Sequence, residues 1–330
     1  MNRLNGRTGT TLVELMIAMT IFLIFLAVAY PTFTFLGQRM ADIHTKQELT
    51  QKGQRILSYM AEELRLAGLF VGANPNVKFE AIATNSLEHT EGNPYDTLTF
   101  LTSEQVVNKK SGSASPFLIM TAAAATGADT IEVNATYGNI RGLNPAALGE
   151  PNCRAFITFD TLAPTILSRA YQVTDYTSNM KISPVLDQAL NAGSNVYAVV
   201  RKRFDVSDRD LRVVRWDYDC GEDPASLLEA HDRAGGKSGG GVDALQFEYI
   251  MNNGSLQTTP ATDSARNILY VRAINIWILV RSDFPEKDYT NTNAYVVGTN
   301  KNDGITLSAF NDNFRRMLLS KQVEVKNLGK

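Results

Sequence analysis

The sequence predicts an α+β protein. One long amino-terminal helix, with a membrane half and a domain-packing half, lies against an antiparallel β-sheet globular domain. Three observations predict it. The run from Leu15 to Tyr30 (LMIAMTIFLIFLAVAY) carries no charge. Helical character then continues to about Ala67. After Gly72 the pattern changes to short segments that alternate apolar with polar residues, as half-buried antiparallel strands do. No strand–helix–strand spacing of a parallel sheet occurs.

The amino terminus comes first. Leu12 and Val13 extend the apolar run forwards, and Phe35-Leu36 extend it backwards. At about 1.5 Å per residue, Leu12 to Leu36 would span roughly 37 Å, enough to cross a bilayer core. Arg3 and Arg7 precede the run without an acid, so the positive-inside rule leaves the amino terminus in the cytoplasm. The rest of the chain then lies across the membrane. The segment after Tyr30, Pro-Thr-Phe-Thr-Phe-Leu, is a poor small-x-small cleavage site for a secretory signal. Glu14 is the anomaly. A carboxylate near the end of an inserted helix costs on the order of 2–3 kcal/mol and points to a functional site. Alternatively, Glu14 reaches the interface, where the helix dipole favours an acid.

Pro31 removes a backbone donor and is expected to bend the helix rather than end it. The stretch from Asp42 to Arg55 is polar nearly all round, with Gly53 a weak point costing about 1 kcal/mol relative to Ala. Ile56, Leu57, Met60, Ala61, Leu64 and Ala67 then form a stripe suited to packing on a sheet, and Gly68 suits the carboxy-terminal cap. Expected strands include Thr97–Leu101, Thr130–Val133, Ala155–Phe159, Val196–Phe204, Leu211–Tyr218, Val242–Ile250, Ile268–Val280 and one within Met317–Val325. VRAINIWILV, at 271–280, is the most apolar and is expected to be central in a sheet. Lys109 to Gly127, Ala234 to Gly241 and Asp288 to Asn313 read as solvated connections.

Composition is that of a packed globular protein: 44% apolar and 20% charged residues. A net charge of −2 gives no general case for nucleic-acid binding. Cys153 and Cys220 are compatible with one bridge closing a loop of about 67 residues, or with two separate buried thiols. His44, His89 and His231 have no metal-ligand spacing, and no nucleophile, dinucleotide or phosphate-loop fingerprint occurs. The reading is therefore non-enzymatic, with no cofactor. The acids Asp217, Asp219, Glu222 and Asp223 read as a solvated turn rather than a Ca²⁺ loop. Arg201, Lys202, Arg203, Arg209, Arg212 and Arg215 are interleaved with Asp205, Asp208 and Asp210, which favours cross-strand ion pairing over a DNA groove.

A short basic leader ending at Gly9, with Glu14 five residues on in TLVELMIAMTIFLIFLAVAYP, resembles the amino terminus of type IV pilins and type II secretion pseudopilins. Pro31 falls where many pilins have a helix-kinking proline. The resemblance implies a leader over 1–9 and a transmembrane and polymerisation helix over 10–36. Its continuation over 37–68 packs on a periplasmic or extracellular pilin domain over 69–330. It also implies that a prepilin peptidase cuts between Gly9 and Thr10, that the new Thr10 amine is N-methylated, and that Glu14 pairs with the Thr10 amine of a neighbouring subunit. Thr10 departs from the family's commonest residue at that place, Phe. LQFEY near Gln246, VRAINIWILVRSD at 271–283, DNFRRMLLSKQVEVKNL at 312–328 and MAEELRLAGLF at 60–70 resemble large minor pilins of the PilW kind and the J-type pseudopilin. The implied partners are other minor pilins, the major pilin (or pseudopilins) and the inner-membrane assembly platform. The implied role is a minor prepilin that enters or primes a type IV pilus. A type II secretion pseudopilin, or a pilus-borne adhesin or DNA-uptake subunit, is the alternative.

Overall fold

The computed structural model describes residues 11–71, 87–90, 92–106, 117–134, 155–160, 170–176, 179–216, 226–229, 241–259, 271–287, 289–299 and 305–328. The chain divides into two compact units, Met1–Glu48 and Leu49–Lys330. A single helix, α1 (Leu12–Arg65), runs through both and contains Pro31.

Within the first unit, α1 is exposed along nearly its whole length, including apolar side chains on every side from Leu12 to Ile43. Its threonines turn their hydroxyls back to the helix: Thr20 donates to the Met16 carbonyl at 2.8 Å and Thr32 to Val28 at 2.9 Å. Thr34 donates to Pro31 at 2.9 Å. These bonds remove the hydroxyls as a cost of placing the helix in hydrocarbon.

In the second unit, the last turns of α1 bury Leu49, Lys52, Gly53, Ile56, Leu57, Met60, Ala61 and Leu64. The three- and four-residue offsets put these on one face. Ala67 joins the same core, so the stripe read from sequence packs as expected. The helix closes through a turn in which Gly68 takes φ 73° and donates its N–H to the Leu101 carbonyl at 2.8 Å.

The strands, in chain order, are β1 (Leu87–Thr90), β2 (Thr97–Gln105), β3 (Thr130–Ile131), β4 (Ala155–Phe159) and β5 (Tyr171–Tyr176). β6 (Met180–Ser183), β7 (Val196–Ser207), β8 (Asp210–Trp216) and β9 (Ser226–Glu229) complete a nine-stranded sheet. β10 (Gly241–Met251), β11 (Leu256–Gln257), β12 (Val271–Arg281) and, last in the chain, β15 (Arg316–Glu324) form a second sheet ordered β11-β10-β12-β15. Between β12 and β15, β13 (Tyr295–Val297) and β14 (Ile305–Leu307) make a two-stranded hairpin. Every strand pair is antiparallel among the described residues.

The first sheet forks at β7. One edge of β7 pairs with β2; the other pairs with β4 at its start and with β8 from Arg201 to Ser207. β12 is central in the second sheet, as its apolar sequence predicts. The main core lies where the α1 stripe meets β2, β7, β8, β10, β12 and β15. The two sheets join through Asp96, which is buried. Its carboxylate accepts from Gly92 N at 2.9 Å and from Phe247 N at 2.9 Å, and its own N–H donates to Leu245 O at 2.8 Å.

The stretch read as a solvated connection, Asp288 to Asn313, contains the β13–β14 hairpin. Val297, Tyr295, Leu307 and Phe310 pack there on Ala244, Leu279 and Leu318. These strands are three residues long, too short to stand out among Asn, Thr and Asp until the sheet beneath supplies their partners.

Candidate functional site

Gly9 and Thr10, the expected processing pair, lie outside the described residues, as do Cys153, Cys220 and the acidic stretch at 217–223. Glu14 is described, in the first turn of α1. Thr11 and Glu14 bond reciprocally: Thr11 N donates to Glu14 Oε2 at 2.9 Å, and Glu14 N donates to Thr11 Oγ1 at 3.3 Å. This is a capping box, formed because Thr-x-x-Glu puts the hydroxyl and carboxylate within reach of each other's N–H groups. Two donors that the first helical turn cannot satisfy internally are thereby paired. The helix dipole also favours the carboxylate there. The local pairing was legible in the sequence as Thr11-Leu-Val-Glu14, although only the acid draws attention when the apolar run is read.

α1 is the one helix among the described residues long and apolar enough to cross a membrane, by length and composition. Its apolar side chains are well exposed; Phe33, for example, is 74% exposed. An apolar surface around the whole circumference has no stable place in water and fits lipid or a helix bundle. This arrangement suits membrane anchoring.

On the domain, the basic stretch is paired. Lys202 Nζ lies 2.7 Å from both Glu63 Oε2 on α1 and Glu104 Oε1 on β2. Arg215 holds the other Glu104 oxygen at 2.9 Å. Arg203 and Arg212 share Asp205 at 3.0 and 2.9 Å, and Arg209 reaches Asp243 at 3.2 Å. The Arg201 and Arg203 guanidiniums stand 4.7 and 4.8 Å from the Trp216 ring centre. Ion pairs within and between elements thus engage Lys202, Arg203, Arg209, Arg212 and Arg215. Burial lowers the Lys202 pKa, but the Glu104 and Glu63 carboxylates outweigh it and hold it above the ordinary lysine value.

Lys52 is nearly buried on α1 and meets Asp283 at 2.6 Å. Lys52 falls in the stretch from Asp42 to Arg55 that reads as polar nearly all round; its partner lies 231 residues away and could not be read from local pattern. Arg315, just before β15, and Arg316, its first residue, take different partners. Arg315 donates to Glu286 at 2.6 Å, whereas Arg316 is buried and donates to both Asp312 oxygens at 2.6 and 2.7 Å. His44 is exposed, and no cluster of three metal-ligating side chains occurs among the described residues.

A family model, the prokaryotic N-terminal methylation motif, matches residues 4–30. The type IV-like pilin TTHA1219 from Thermus thermophilus is a similar solved structure, with a TM-score of 0.41 and 11% identity, covering 86% of this chain and 100% of that one. No curated protein matches. The amino-terminal segment thus carries the prokaryotic N-terminal methylation motif, at the head of a long apolar helix that leads into an antiparallel β domain.

Proposed function

We propose that the chain is a minor type IV prepilin, cut between Gly9 and Thr10 by a prepilin peptidase, methylated at Thr10, and assembled into or priming a pilus. It is a structural subunit, held before assembly as a single-pass protein of the inner membrane with a cytoplasmic amino terminus. The observation that carries this reading is the Thr11–Glu14 capping box at the head of an exposed apolar helix. Cleavage after Gly9 would place an ammonium one residue before Thr11. Glu14 Oε2 is engaged locally, which leaves Oε1 for that amine or for its counterpart on a neighbouring subunit. In a low-dielectric setting, an unpaired member of such a pair costs about 3–5 kcal/mol, which is enough to fix the axial register of subunits. The domain then makes lateral contacts with other minor pilins.

The test is mass spectrometry of the amino terminus from purified fibres. The expected species begins at Thr10, carries one added methyl group and is found in the fibre fraction. Glu14→Ala is expected to remain in the membrane and to be missing from sheared fibres. Normal incorporation of Glu14→Ala, or an intact Met1 terminus in fibres, would overturn the reading.

A further inference from the structure

At one end of the second sheet, Gly241, Arg281 and Arg316 form a cross-strand row over β10, β12 and β15. Two arginines directly opposite on neighbouring strands repel unless acids intervene. Strand alternation puts both on the face of Leu279 and Leu318, which the β13–β14 hairpin covers. A β-bulge between Val242 and Ala244 releases Asp243 from the ladder. Its Oδ2 accepts from Arg316 Nε, and its Oδ1 lies 3.2 Å from Arg209 Nε. Asp312 gives both its oxygens to Arg316. Arg316 also lies over Phe310, with its guanidinium carbon 3.6 Å from the ring centre.

That leaves Arg281. It is 6% exposed, its Nε is buried without a hydrogen-bond partner, and among the described residues it forms no ion pair. Its guanidinium stacks on Phe314 at 3.5 Å, which holds the plane but leaves the Nε–H unmatched. The local groups are Arg209, Arg281 and Arg316 against Asp243, Asp312 and the exposed Asp208, and the carboxylates of Asp243 and Asp312 contact Arg209 and Arg316 rather than Arg281. The side chain of Arg209 is 46% exposed, so the cluster opens to solvent on that side. Asp208, exposed on the same β7–β8 turn, disfavours a doubly charged visitor. Burial, then Asp243, raises the Tyr95 phenol pKa, while Arg209 and Arg281 pull it down, so Tyr95 lies within the field of the same cluster.

We propose that Arg281, flanked by Arg209, is a binding site for a carboxylate. One planar monoanion matches the guanidinium edge and supplies the acceptor that the orphaned Nε–H lacks. The carboxylate comes either from a small organic acid or from an acidic side chain of another polypeptide. This site is independent of processing at Gly9.

The experiment uses the full chain in mild detergent and follows thermal unfolding as sodium acetate replaces sodium chloride at constant ionic strength. The wild type is expected to gain a saturable rise in Tm, which Arg281→Met lacks. In chloride alone, Arg281→Met is expected to melt at or above the wild type, because an unpaired buried charge has been removed. Arg209→Gln, at a half-exposed position, is expected to weaken the apparent acetate affinity about five-fold. A hexaglutamate peptide that saturates the shift at lower carboxylate concentration than acetate assigns the site to a polypeptide acid; acetate acting alone assigns it to a small acid. Equal acetate responses in wild type and Arg281→Met would overturn the proposal. So would a lower melting temperature of Arg281→Met in chloride alone, or tighter binding of inorganic phosphate than of acetate.

Discussion

Replacing Gly53 by alanine sets two effects of opposite sign against each other. In a solvated helix, alanine is favoured over glycine by about 1 kcal/mol. At Gly53, a Cβ would stand 2.0 Å from Leu319 Cδ1 on β15, 3.4 Å from its Cγ and 3.6 Å from Val280 Cγ2. Only the first is a clash, and its owner is the end of a half-buried leucine that has to leave its rotamer. Overpacking of this kind costs about 1–3 kcal/mol. The net expectation for Gly53→Ala is a loss of about 1 kcal/mol, or about 2–4 °C in Tm. Truncating Leu319 to Ala removes the clashing atom and leaves ordinary contact with Val280. In that background Gly53→Ala should gain about 1 kcal/mol, giving a coupling of about 2 kcal/mol. The assay is denaturant unfolding of the four proteins in detergent, followed by tryptophan fluorescence. Stabilisation by Gly53→Ala in both backgrounds would refute helix packing at this point as the reason for the glycine.

Lys202→Met leaves Glu63 and Glu104 without their shared cation. Because those carboxylates keep 16% and 29% of their side-chain exposure, a loss of about 2–3 kcal/mol is expected rather than the full cost of a buried orphan. Adding Glu63→Gln should recover part of it. The raised Lys202 pKa means that the wild type's advantage is complete below the ordinary lysine value of 10.5 and is lost only as pH rises through the higher folded value. At the acid end, the hydrogen bonds from Arg316 hold Asp312 below its ordinary 3.8. Its contribution is present above 3.8 and lost as pH falls through the folded pKa. The stability difference between wild type and Asp312→Asn should therefore hold at pH 5 and shrink below 3.8, as measured by urea midpoints.

What was legible in the sequence followed from periodicity. The stripe from Ile56 to Ala67 repeats at helical spacing, and each member is buried. The continuous apolar character of β12 marked it as central because a strand with neighbours on both sides and a helix over one face has little room for polar groups. Charge is a different matter. Lys52, Lys202 and Arg316 look like surface residues in sequence, because nothing local shows that Asp283, Glu63 and Asp243 will meet them. The Asp243 bulge was hidden for a related reason: β10 keeps a strand-like composition across it, and only pairing with β12 shows the extra residue. At the amino terminus, Glu14 was legible because an acid beside an apolar run is costly. Its engagement by Thr11 follows from the Thr-x-x-Glu spacing, which the apolar run beside it overshadows.

The closing contacts of the fold also set an order in time. Leu319 borders Gly53, Lys321 donates to Ser58 at 3.1 Å, and Asn327 donates to the Arg65 carbonyl at 3.0 Å. The helix leaves the ribosome well before these residues, which lie 263 and 262 positions further on for the Ser58 and Arg65 contacts. Until they arrive, part of the stripe from Leu49 to Leu64 has no cover, however stable the helix is as a helix. Contacts this distant in sequence slow folding and lengthen the period in which apolar surface is open to wrong partners. β15 is thus a checkpoint: a chain cut short before it retains its apolar helix and every strand of the first sheet, but presents an unfinished domain to quality control.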